Sequence, residues 1–90
     1  MVSRTATTLK IKDVKVYGWG VYEVTVTTAD TITLSDFVTT ETLKLGTLLK
    51  NTDGATVNTT LLNNVVTVGQ SGGVNVTDVE CTLFAFGVRA

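Results

Sequence analysis

The chain has 90 residues, a formal net charge of −1 and only 17% charged residues, with a mean hydropathy of +0.31. That length makes one domain, residues 1–90, which buries only about 60–65% of its unfolded surface. With one cysteine and no histidine, an intrachain disulfide and a structural zinc site are both excluded, so oligomerisation is the remaining common way for so small a domain to gain stability.

The balance of charge gives no footprint for nucleic acid. No run of about 18 apolar residues is present to cross a membrane as a helix. The stretch MVSRTATTLKIKD has no apolar core of signal-peptide length, so no secretory leader is expected. Threonine and valine together exceed a third of the chain and proline is absent. Both residues are β-branched and suit a pleated sheet. Prolines and edge lysines normally keep sheets from joining edge to edge. A weakly charged, proline-free chain of this texture is expected to self-associate in an ordered way.

In chain order, residues 4–17 read as a first strand or extended arm. Leu9 and Ile11 share one parity and Val14 and Val16 the other, with a bulge or bend expected near Lys12-Asp13. Gly18 and Gly20 flank Trp19 and predict a turn or tight crossing. Residues 21–28 alternate cleanly, Tyr22, Val24 and Val26 toward a core and Glu23, Thr25 and Thr27 away from it. Ala29-Asp30 predicts a turn and residues 31–34 a short strand. Residues 35–42 are the one place for a short helical turn, capped by Ser35-Asp36. Residues 42–50 predict a strand in which Leu43 and Leu45 alternate and Gly46 resets the register toward Leu48 through a bulge. Asp53-Gly54 is the strongest hairpin signal. Residues 55–61 read as one returning strand, Asn63-Asn64 as a turn, 65–68 as a strand and GQSGG (69–73) as a loop.

The last strand, opening at Val74 or Val76 and running to about Val88, has two different faces. Val79, Cys81, Leu83, Ala85 and Gly87 form a small apolar side. Glu80 and Thr82 begin the other side, which then turns aromatic and apolar at Phe84, Phe86 and Val88. A second face becomes buried only if something covers it, and in a chain this short the cover is expected to be another subunit. Strands of this length with turn signals about every 8–12 residues predict an all-β fold. The expected architecture is a single-domain antiparallel β-sandwich or small, jelly-roll-like β-barrel of seven to eight short strands.

For catalysis the expectation is negative, with no catalytic residue, cofactor or metal. Without histidine the commonest general base is missing. Cys81 lies mid-strand on the small apolar side and reads as a buried structural cysteine. Asp78 and Glu80 are the one close acidic pair, read as a solvated strand end rather than a cation site. GQSGG lacks the helix and lysine of a phosphate loop. Trp19, with Tyr17 and Tyr22, supports three readings: core packing, a subunit contact, or a stacking platform for a glycan. Arg4, Lys10, Lys12 and Lys15 place four of seven basic residues in the first 15 positions, and none lies between Asn51 and Val88. A basic arm and an acidic body suit head-to-tail docking of copies. A solvated edge strand kept unpaired by its lysines fits the same pattern. The candidate oligomer interface is therefore Phe84, Phe86 and Val88 with Lys10, Lys12 and Lys15.

The succession DTITLSDF, then NTDGATVNTTLLNNVVTV, then a valine-rich strand ending LFAFGVRA, resembles small β-rich virion proteins of tailed bacterial viruses over most of residues 20–90. The resemblance is one of texture and maps no site residues. It implies a non-enzymatic virion structural protein that decorates or cements a capsid, forms a homo-oligomer such as a trimer, and contacts a major capsid or other virion protein. It also implies assembly in the host cytoplasm. The alternatives are a glycan-binding β-sandwich module and a pilus-like filament subunit that donates residues 1–17 as a strand.

Overall fold

The computed structural model describes residues 15–90. It is all-β, with seven strands in two antiparallel sheets. The strands are β1 (Tyr17–Val26), β2 (Thr31–Thr33), β3 (Leu45–Lys50), β4 (Thr56–Val57), β5 (Thr59–Leu62), β6 (Val65–Val68) and β7 (Val79–Val88). Sheet A has the order β1-β7-β3-β4 and sheet B the order β2-β6-β5. The arrangement is that of a small β-sandwich.

Alternation puts one side of each long strand between the sheets. On β7 those residues are Cys81, Leu83 and Ala85, all fully buried; on β3 it is Leu48, and on β6 they are Val66 and Val68. Phe37, Leu43 and Val76 come from connecting segments and close the ends of the same cluster. Tyr22 and Val24 of β1 pack on it while staying half-buried.

Two corners carry the chain from one sheet to the other. β1 ends at Val26, and the Thr28–Asp30 turn, with Ala29 at φ 80°, delivers the chain to β2. At Asn58 the predicted strand 55–61 divides: Thr56–Val57 pairs with β3 in sheet A and Thr59–Leu62 with β6 in sheet B. Asn58 is held at that corner by backbone bonds, its N–H to Gln70 and its C=O from Gly69. The hairpin at residues 51–54 forms as its residues require, with Gly54 at φ 71° and its N–H donating to the Lys50 carbonyl. Asn63, at φ 52°, turns β5 into β6.

Four local expectations are corrected. Gly18-Trp19-Gly20 is not a turn but the start of β1. The two glycines make room on the inner side, where a Cβ at Gly18 would meet the Arg89 stem at 2.7 Å and one at Gly20 the Tyr22 ring at 2.6 Å. Gly46 makes no bulge, because β3 pairs with β7 in unbroken register from Leu45 to Lys50, with Leu45 on the outer face beside Phe86 and Leu43, ahead of the strand, buried in the core. Residues 35–42 contain turns but no helical turn. The last strand opens at Val79, since Asp78 takes a left-handed conformation (φ 48°) that ends the preceding loop.

Candidate interaction surface

β7 is the hinge of the site because it lies between β1 and β3. Its inner side is used up by the core, so Phe84, Phe86 and Val88 stand on the outer face of sheet A, half-buried by their neighbours alone. Cross-strand register supplies those neighbours. Phe86 lies between Trp19 and Leu45, Phe84 between Val21 and Thr47, and Val88 opposite Tyr17. The Tyr17 and Phe86 rings stack with centroids 5.7 Å apart, and Trp19 sits tilted on Phe86 at 4.7 Å. The outcome is a contiguous apolar face that remains open: Trp19 is 61% exposed, Val21 62% and Tyr17 44%. Large apolar faces of this kind mark interaction sites more often than solvent-facing surface.

Toward the other end of the same face the chemistry changes. Glu23, Thr82 and Asn51 form a hydrogen-bonded group, with the Thr82 hydroxyl 2.7 Å from Asn51 Oδ1 and 3.0 Å from Glu23 Oε1, and Asn51 Nδ2 donating to Glu23 Oε2 at 3.1 Å. Glu80 lies opposite Thr25 nearby. A recess of about 270 Å³ opens among Glu23, Thr25, Asn51 and Glu80. Asp78 does not share a strand face with Glu80. It sits in the preceding corner, where its N–H donates to the Thr27 hydroxyl. Among the described residues no group of three or more acidic or cysteine side chains converges as a metal site would need.

The predicted residues are thus sorted by the fold. Trp19 and Tyr17 join Phe84, Phe86 and Val88 on one surface, which overturns core packing for Trp19. Tyr22 stands on the opposite side of β1 and cannot contribute to a platform with them. Its hydroxyl donates to Asp36 Oδ2 at 2.8 Å. Burial, then the hydrogen bond and charge of Asp36, raise its pKa above the ordinary 10.0, against the charge of Arg89. A raised folded-state pKa contributes stability that is complete below the unfolded value and is lost as pH rises through the raised one. Tyr22→Phe is therefore expected to flatten the alkaline fall of the melting temperature, which melts between about pH 9 and 12 would show. Cys81 faces the core, where burial pushes its thiol pKa up. Lys15 is engaged within the chain by an ion pair with Glu41, whose hydrogen bond and charge raise its pKa. Lys10 and Lys12 lie outside the described residues.

Sequence reasoning missed Val21, Leu45 and Arg89. Arg89 lays its stem along Gly18 and reaches the Trp19 carbonyl at 3.3 Å, with its guanidinium 5.7 Å from the Phe37 ring. Extending the alternation of residues 21–28 backward through the glycines would have placed Val21 and Trp19 together. In comparisons with models of known families, with curated proteins and with solved structures, the chain matches none.

Proposed function

We propose that this protein is a non-enzymatic structural subunit that self-associates through the outer face of sheet A and coats or cements a larger particle. The observation that carries the reading is the outward placement of Tyr17, Trp19, Val21, Phe84, Phe86 and Leu45 on one sheet face. The core is built from the opposite side of sheet A, so these side chains lie outside it. A second copy of the chain would remove them from water, at about 25 cal/mol per Å² of apolar area. The absence of proline and the low charge support the same reading, since nothing in the composition opposes association. The resemblance in texture to small virion proteins extends it to a capsid-decorating homo-oligomer, a trimer being the first expectation.

The test is the solution mass of the purified protein by light scattering, with negative-stain images of the same sample. A closed oligomer supports the proposal and a stable monomer overturns it. The exposed rings of Trp19 and Tyr17 also favour glycan binding as a second reading. A monomer whose Trp19 fluorescence shifts across a glycan series would put that reading first.

A further inference from the structure

The end of the sandwich where β2 runs out carries a second concave feature, which shares no residue with the outer face of sheet A. β2 stops at Thr33. Leu34 and Phe37 then turn into the core, while Ser35, Thr39 and Thr40 stay on the surface. Backbone bonds fix this segment at both ends. The Leu34 N–H donates to the Asn64 carbonyl at 2.9 Å and the Val38 N–H to the Val88 carbonyl at 3.0 Å. Here a recess of about 560 Å³ opens, within the size range of small-ligand sites. Phe37, Val38 and Asn64 form its floor; Thr33, Ser35, Thr39 and Thr40 stand exposed around it, beside Ala90.

Asn64 sets the chemistry. It is the one buried polar side chain among the described residues, 5% exposed. Its Nδ2 donates to the Leu34 carbonyl at 3.0 Å and approaches the Phe37 carbonyl at 3.5 Å, so the donor end of the amide holds the turn. Oδ1 can accept two hydrogen bonds, yet no described residue donates to it. Among the described residues no sealed side-chain oxygen lacks a partner, so Oδ1 is open to the recess that Asn64 lines. A polar atom at this depth calls for a donor from whatever fills the space. The hydroxyls of Thr33, Ser35, Thr39 and Thr40 bond to no described residue, unlike those of Thr28, Thr59 and Thr82. They too are free for an occupant.

Among the described residues no charged side chain lines the recess. An ion entering it would lose hydration with no countercharge in return. The occupant that fits is neutral, carries several O–H donors, and has an apolar side to lay on Val38 and the threonine methyls. A pyranose ring combines these properties. We propose that this recess binds a neutral saccharide, one hydroxyl donating to Asn64 Oδ1 and others bonding the hydroxyls of Thr33, Ser35, Thr39 and Thr40. The site is separate from the Trp19 platform and does not depend on self-association.

The experiment is a titration of the isotopically labelled full-length chain with methyl glucoside, methyl galactoside and N-acetylglucosamine, read by amide chemical shifts. A single ring in an open site is expected to bind in the millimolar range. Shifts are expected at residues 33–40 and at the Asn64 side-chain amide. T39V/T40V removes two hydroxyls while keeping the side-chain shape, and is expected to weaken binding about tenfold or more at an unchanged melting temperature. The proposal is overturned if no sugar moves these signals, if the shifts fall on Trp19 and Val21 instead, or if T39V/T40V binds like the wild type. Shifts at the recess with N-methylacetamide but with none of the sugars would also overturn it, and would assign the recess to a peptide. The readout is independent of the solution mass, so failure here leaves the proposed function standing, and a monomeric wild type leaves this site standing.

Discussion

Leu83→Ala is expected to cost about 2–5 kcal/mol of folding stability, the range for emptying a leucine-sized site in a core that relaxes only partly. Leu83 is fully buried on the middle strand of sheet A, between Tyr22 of β1 and Leu48 of β3. No surface loop can move in to fill the space, because both flanking strands are fixed by the same ladder. A domain of this size has about 5–15 kcal/mol in total, so the loss would lower the melting temperature by roughly 8–40 °C. Thr82→Ala, one residue away and on the outer side, should change it by no more than a few degrees. Thermal melts of both variants check the contrast. Equal losses at the two positions would mean that β7 does not separate a core side from an outer side.

The second large effect falls on the other side of the same strand. Replacing Phe84 and Phe86 together by serine is expected to dissociate the proposed oligomer while most β structure survives. Phe86 is the centre of the face, touching Trp19 and Tyr17 on one flank and opposing Leu45 on the other. Central aromatic residues typically carry about 2 kcal/mol or more of an interface each. Losing two should weaken association about a thousandfold. The inner residues Cys81, Leu83 and Ala85 are untouched, so the far-UV spectrum should hold. If the double variant keeps the wild-type mass, this face is not the contact.

Much of this fold is legible in the residues and some of it is not, for identifiable reasons. The alternation of 79–88 gives both faces of β7, because strict period-two patterning leaves one assignment. Asp53-Gly54 and Asn63-Asn64 mark real turns through their conformational preferences. Gly18 and Gly20 mislead, because a glycine looks the same in sequence whether it supplies a turn or clears space beneath a neighbouring side chain. Here the side chains are those of Arg89 and Tyr22, the first of them far away in the chain. The division at Asn58 is invisible to periodicity, since Val57 and Leu61 keep inward positions while the pairing partner changes from β3 to β6. Leu43 and Leu45 share a parity but not a face, because the chain changes direction between them, ahead of the strand. The surface suffers from the same problem. Phe84 and Phe86 announce themselves within one strand, whereas Trp19, Val21 and Leu45 join them only through strand order, which local pattern does not contain.

The central place of β7 also bears on how the protein is made. Tyr17 pairs with Val88, near the two ends of the described chain, so sheet A closes only after β7 has emerged from the ribosome. Pairings of this span form late and slowly compared with local ones. Until then Trp19 and Val21 on one side and Phe84 and Phe86 on the other belong to separate pieces of chain, and no continuous apolar face exists. The apolar face is thereby made conditional on completion: a fragment lacking the C-terminal strand has the aromatic residues of β1 but not the surface they help to build.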